Sequence, residues 1–141
     1  MSSLHRTKAC LRIWGDELIP DEVSALLGAP PSNSHSKGDE LSIGLGRVRI
    51  AKTGSWRLVA QQREPGDLDA QIGELFAQLS DDPAVWAQLG SRFELDLFCG
   101  LFMASGNDGE GIGPRNLRLL GERGIELILD IYDPIKESAS S

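Results

Sequence analysis

Over residues 92–103 the chain reads RFELDLFCGLFM. Phe93, Leu95, Leu97, Cys99 and Leu101 share one parity, and Glu94, Asp96, Phe98, Gly100 and Phe102 the other. Period-two alternation that gives way to apolar residues on both sides predicts a strand, half-solvated where it begins and enclosed where it ends. The glycine-rich SGNDGEGIG behind it suits neither helix nor strand and predicts a loop.

The same patterning predicts the other elements. Residues 8–15 alternate Leu11 and Ile13 against Cys10, Arg12 and Trp14, a strand broken by Gly15-Asp16. Ile19-Pro20-Asp21-Glu22 opens a helix, since proline fits a first turn and carboxylates suit the positive end of the dipole. Val23, Leu26 and Leu27 form its apolar stripe, and Gly28 ahead of Pro30-Pro31 stops it. Residues 29–46 read as one long polar loop, a length that points to function or mobility. Residues 47–51 and 54–61 read as short strands joined near Lys52-Thr53-Gly54. Behind Glu64-Pro65-Gly66-Asp67, the residues Leu68, Ile72, Leu75, Phe76 and Leu79 recur along one helical face. Asp82-Pro83 begins a short helical turn with Val85, Trp86 and Leu89. Pro114 starts a last helix, ended by Gly124, and Ile125, Leu127, Leu129 and Ile131 mark a last strand over residues 125–132.

The order is strand, helix, strand, strand, helix, strand, helix, strand. Its first part is the ferredoxin-like βαββαβ order, with an αβ unit appended. The expected fold is α+β: a two-layer sandwich whose mostly antiparallel sheet has its helices on one face. A single domain over 1–141 is expected, with residues 1–7 and 135–141 as disordered ends. The segments LRIWG and LFCG each lead through a loop into a proline-started helix ending in Leu-Leu-Gly, a rhyme that two strand–helix units obeying the same rules would also produce.

Composition narrows the function classes. The net charge of −7 lacks the clustered cations that phosphate-backbone binding needs, so no nucleic-acid partner is expected. It suits a basic protein partner or plain solubility. No apolar run is long enough to span a membrane, and no long apolar stretch near the start reads as a secretory signal. Cys10 and Cys99, far apart and each inside a strand, fit a reducing cytoplasm with two buried thiols.

Four blocks also carry a family resemblance: LRIWGDELIPDEVSALLG, the Ser55-Trp56 strand, DLFCGLFMASG and IELILDIYD. In this order, over roughly residues 8–133, they resemble the bacterial family of domain of unknown function 4279 (DUF4279). The resemblance implies a small bacterial single-domain protein, and it implies no activity and no catalytic positions.

Candidate chemistry is sparse. His5 and His35 have no cysteine or second histidine at ligand spacing, so no metal is expected. Asn107, Asp108 and Glu110 put oxygen ligands on the glycine-rich loop, a candidate site, but without the frame or closing glutamate of a calcium loop. Gly111-Ile112-Gly113 precedes a helix start and could receive an anion, although Asp108 and Glu110 would repel it. Gly44-Leu45-Gly46 is a weaker phosphate candidate. Cys99 lacks a neighbouring base and shares its strand face with Leu97 and Leu101, which reads as a structural thiol. Asp16 and Asp108 would form a carboxylate pair only if their loops met. No cofactor is expected.

The stronger signal is a surface. If Leu11, Ile13, Leu95, Leu97, Leu127 and Leu129 face the helices, then Arg12, Trp14, Arg57, Glu94, Asp96, Phe98, Asp130 and Tyr132 face away. Opposite charges on that face would pair across strands, and Trp14, Phe98 and Tyr132 would make an aromatic contact region near its centre. The expectation is a cytoplasmic, non-catalytic interaction module acting through this face or its two long loops. Its partner would be another protein, in the manner of a toxin-immunity protein, or a second copy of itself. The alternative is a small-molecule-binding or regulatory domain, with an enzyme third.

Overall fold

In the computed structural model, which describes residues 4–134, the centre of the sheet is β1 (Arg6–Gly15). Its odd positions carry the core. Leu11 lies beside Leu58 on one side and Leu97 on the other; Ile13 lies between Trp56 and Leu95. These side chains are buried, whereas the even positions of β1 are only partly covered or exposed. That asymmetry is what the alternation demanded.

After β1 come α1 (Pro20–Leu27), β2 (Asn33–His35), β3 (Glu40–Ser42), β4 (Val48–Ile50) and β5 (Gly54–Val59). Then follow α2 (Leu68–Ala77), α3 (Pro83–Arg92), β6 (Glu94–Phe102), α4 (Pro114–Glu122) and β7 (Glu126–Tyr132). The main sheet has the order β2-β5-β1-β6-β7. β1 runs antiparallel to β5 and β6, β2 antiparallel to β5, and β7 parallel to β6. The fold is α+β with a mixed five-stranded sheet. Val23 and Leu27 of α1, Leu68, Ile72, Leu75 and Phe76 of α2, Trp86 and Leu89 of α3 and Leu120 of α4 all join the cluster formed by the odd face of the sheet. The buried sides of all four helices therefore share one cluster with that face, and no helix among the described residues covers the other.

Local chemistry explains the element ends. Gly28 closes α1 in the left-handed region at φ 80°, where a side chain would be strained. Asp67 caps α2 by accepting the Ala70 N–H, and Asp82 caps α3 by accepting that of Ala84. A Cβ on Gly54 would stand 2.8 Å from the Leu18 carbonyl oxygen, so only glycine lets β5 pass this close to the turn after β1. The buried Gln71 side chain donates to the carbonyls of Thr7 and Gln61 and accepts from the Thr7 hydroxyl, so its polar groups are met inside the core.

Several expectations need correction. The segment over residues 29–46 is not one loop: β2 lies within it and joins the sheet edge, and β3 pairs with β4 as a separate hairpin. The strand expected over residues 47–51 is thus outside the main sheet, because Val48 and Ile50 are exposed and bury nothing against the helices. The short turn after Pro83 is a full helix. Leu129 is not in the core: β7 is the sheet edge, and Leu129 is left 47% exposed there. The disordered start does not include residues 4–7, since Leu4 is buried and β1 begins at Arg6. The remainder of the expected ends, 1–3 and 135–141, lies outside the described residues. No helix among the described residues is long and apolar enough to cross a membrane.

Candidate interaction surface

The open face is built from the even positions of β1 and β6 and their neighbours. Cross-strand register sets Arg12 beside Asp96 on one side and Arg57 on the other. The Arg12 guanidinium donates from Nε to Asp96 Oδ1 and from Nη2 to Oδ2, both at 2.7 Å, a two-pronged ion pair. It also lies 4.5 Å from the Phe98 ring centre and 5.5 Å from that of Trp14. Asp96 holds the arginine's proton more firmly than usual, an effect opposed in part by burial. Arg57 stands one strand further out, exposed, and does not join the pair.

Charge on this face is divided. Cations come from β1 and β5, as Arg6, Lys8, Arg12 and Arg57, and acids from β6 and β7, as Glu94, Asp96, Glu126 and Asp130. The Arg12–Asp96 pair sits on the boundary.

The three rings expected near the centre are spread across the sheet. Trp14 is at one end opposite Glu94, Phe98 is in the middle opposite Cys10, and Tyr132 is at the far end. There Tyr132 stacks on Phe102 with ring centres 4.6 Å apart and planes within 5°, and Arg6 covers Phe102 at 4.0 Å. The Tyr132 hydroxyl donates to Asp130 Oδ2 at 2.6 Å, which pushes the phenol pKa up. Beside this stack lies a groove of about 230 Å³ lined by His5, Arg6, Phe102, Met103, Ala104 and Asp133.

The loop carrying Asn107, Asp108 and Glu110 is ordered by different partners. Asp108 accepts the N–H groups of Ala104 and Ser105 at 2.7 and 2.9 Å, and the Ser105 hydroxyl. The Asn107 N–H donates to Ser105 Oγ, while Glu110 accepts the Leu68 N–H at the start of α2. Asp69 binds the Gly113 N–H and the Asn116 amide, which draws its own pKa down and ties this loop to α2. Among the described residues no three histidine, cysteine or acidic side chains gather as a metal site. Asp16 pairs instead with Lys37 at 3.2 Å.

Cys10 and Cys99 point to opposite faces of the sheet, since Cys10 is opposite Phe98 and Cys99 opposite Ala9. Both are free thiols. Burial pushes Cys99 up to about 12 and raises Cys10 as well, the latter against the pull of Arg57 and Arg12.

One surface escaped sequence reasoning. β3 and β4 form an arm projecting from the sheet, with Ile43, Val48 and Ile50 half-exposed and Leu45 at its tip 99% exposed. Leu45 sits at φ 53°, between Gly44 at 92° and Gly46 at 70°. The signal was present in LSIGLGRVRI, where apolar residues alternate on both sides of a glycine-flanked turn. Gly44-Leu45-Gly46 is thus the turn of a hairpin and not a phosphate cradle.

These features define an α+β protein with a mixed five-stranded sheet, one sheet face that no helix among the described residues covers, and an exposed apolar arm. The chain belongs to the family described as Domain of unknown function (DUF4279), whose model matches residues 5–134, as the four sequence blocks indicated. No curated protein and no solved structure matches it.

Proposed function

We propose that this chain is a non-catalytic protein-interaction module that grips a partner with its arm and its open sheet face. The observation that carries this reading is Leu45: a large apolar side chain held almost wholly in solvent, in a backbone region that leucine avoids. Val48 and Ile50 add exposed apolar area on one face of the arm and Ile43 on the other. Arg47 and Arg49 on the same arm favour a partner with an apolar pocket rimmed by acids. The divided charge of the sheet face would then orient that partner, with Arg12, Trp14, Phe98, Arg57, Asp96, Asp130 and Tyr132 as its contact positions. Neutralisation of a toxin is one form this role would take, with the arm's arginines meeting acids locally while the chain's net charge of −7 favours a partner that is basic overall.

The sheet order supports a ferredoxin-like reading in which β1, α1, β2, β5, α2 and β6 form the split β-α-β unit. The arm is then an insertion between its second and third strands, and α4–β7 an appended unit. An insertion that leaves Ile43, Leu45, Val48 and Ile50 exposed is more simply explained by contact than by stability. Two thiols on opposite sheet faces, unable to pair within the chain, support a reducing cytoplasm.

The groove beside Phe102 gives little support to a small-molecule role. At about 230 Å³ it falls below the roughly 300–1,000 Å³ of ordinary ligand pockets. The test is quantitative capture of partners from the native cell by the wild-type chain and by Leu45→Asp. The variant should fold with a Tm no lower than that of the wild type and lose its partner. Equal recovery by both, or no enriched partner at all, removes the interaction reading.

A further inference from the structure

We propose that two copies of this chain associate through β7, antiparallel about a two-fold axis at Leu129, so that their sheets join into one. This does not rest on the arm or on the open face.

The sheet has two very different edges. β2 has three residues, Asn33, Ser34 and His35, too short and polar to recruit another strand. β7 has seven, runs without an internal bulge or proline, and has no partner on its outer side among the described residues. Leu129 is 47% and Ile131 61% exposed there. A long apolar edge of this kind invites uncontrolled pairing unless a specific partner covers it.

Backbone direction shows which groups are on offer. The Tyr132 carbonyl accepts the Met103 N–H, so Tyr132, and with it Asp130, Ile128 and Glu126, hydrogen-bond toward β6. The N–H and C=O groups of Leu127, Leu129 and Ile131 therefore point outward from the edge.

Charge then selects the register. With Leu129 opposite its own counterpart, Leu127 meets Ile131 of the other copy, Glu126 meets Tyr132, and Ile128 meets Asp130. Every acid is opposite a residue without charge, and every outward-pointing group finds a partner. A slip that centres the axis on Ile128 sets Glu126 against Asp130; one that centres it on Asp130 sets that acid against itself. Registers further away pair only part of the strand. Strand β7 is thus self-complementary in the one register that uses its whole length, as an isologous contact requires.

The helical layer adds to this contact. In α4, Asn116 and Leu120 face the core, and Leu119 and Arg123 lie toward α2, where Arg123 approaches Phe76 and Trp86. Helical geometry puts Leu117 on the opposite flank, the one above the β7 edge, and it is half-exposed. Leu117, Leu129 and Ile131 are each about half-exposed, and a second copy on this edge would cover them.

Sedimentation velocity across a concentration series tests the mass, and amide exchange by NMR tests the register. The wild type should shift from 15.3 kDa to twice that mass as concentration rises. The amides of Leu127, Leu129 and Ile131 should gain protection in step, while those of Ile128, Asp130 and Tyr132 stay protected throughout. Leu129→Lys and Leu129→Glu should each be monomeric, because the axis sets each new charge against its copy, and an equimolar mixture should restore the dimer. Leu45→Asp should dimerise like the wild type, which separates this contact from the arm. A wild type that stays monomeric at every concentration overturns the proposal. So does a dimer in which the amides of Leu127, Leu129 and Ile131 exchange as fast as in the monomer. The exchange pattern needs no variant, so a poorly folding Leu129→Lys would not rescue the idea.

Discussion

Removing the charge of Arg12 should destabilise the protein far more than removing that of Asp96. The two members of this pair are not equally buried: the Asp96 side chain is 3% exposed and that of Arg12 25%. Breaking a fully buried pair from one side costs about 3–5 kcal/mol, whereas exposed pairs contribute about 0–1 kcal/mol. Arg12→Met keeps an unbranched side chain between Trp14 and Phe98 but deletes both hydrogen bonds to Asp96. The carboxylate then has no route to water, and the expected cost is about 3 kcal/mol. In Asp96→Leu the stranded group is a guanidinium already a quarter exposed, resting on Phe98 and able to turn outward, so the expected cost is about 1–2 kcal/mol. The double variant removes both charges and fills the space with apolar groups, and should lie within about 1 kcal/mol of the wild type.

Equilibrium urea unfolding of the four proteins closes the cycle. If Asp96→Leu proves the costlier single change, the burial argument is inverted. If the double variant costs as much as the two singles together, there is no coupling and the pair is solvated. Either result would also mean that the centre of the open face is wetter and less fixed than its geometry implies.

Two further outcomes test the core and the thiols. Leu97→Ala, at a position fully buried between β1 and the helices, should cost about 2–5 kcal/mol in the same urea assay; a loss below about 0.5 kcal/mol would contradict its burial. Cys99 should label slowly with a thiol reagent in the native protein and rapidly once unfolded. Its raised folded pKa means that the native state keeps the proton longer, so stability should fall as pH climbs from the ordinary thiol value of 9.0 toward about 12, and Cys99→Ala should flatten that decline.

Much of the fold was legible because burial writes a period into the sequence. Leu11, Ile13, Leu95 and Leu97 alternate because one face of a central strand is covered, and α2 repeats its apolar residues because it lies on that face. Legibility failed where burial stops. β2 is three polar residues whose place in the sheet depends on backbone pairing with Ser55, Trp56 and Arg57, and backbone pairing leaves no side-chain signature. Leu129 has the right parity for the core, yet parity cannot tell where the helical cover ends. The face positions of Arg12, Asp96 and Phe98 followed from parity alone. Their contact did not, because it depends on which strands are neighbours. Trp14, Phe98 and Tyr132 share a face in the sequence pattern, and only the stagger of β1, β6 and β7 spreads them from end to end.

The arm allows function and stability to be separated at one residue. Its turn is closed by the Ile43 N–H donating to the Arg47 carbonyl and the Arg47 N–H to the Gly44 carbonyl. Neither bond needs the Leu45 side chain, and its near-complete exposure means that it packs on nothing among the described residues. A left-handed conformation costs a non-glycine residue about 1–2 kcal/mol, while asparagine tolerates it through local hydrogen bonding. A tip shaped by stability alone would carry asparagine there. Leu45→Asn should therefore raise stability by about 1 kcal/mol, which for a chain of this size is roughly 2–4 °C in Tm. Asparagine is the better probe than glycine, whose freer unfolded chain would offset part of the gain. The same variant should lose partner capture as Leu45→Asp does, because it removes the apolar anchor. Unchanged capture by Leu45→Asn would show that the tip is not the contact, and a lowered Tm would show that the leucine supports its own fold after all. The combination of higher Tm and lost capture would identify a residue kept against the stability of the chain that carries it.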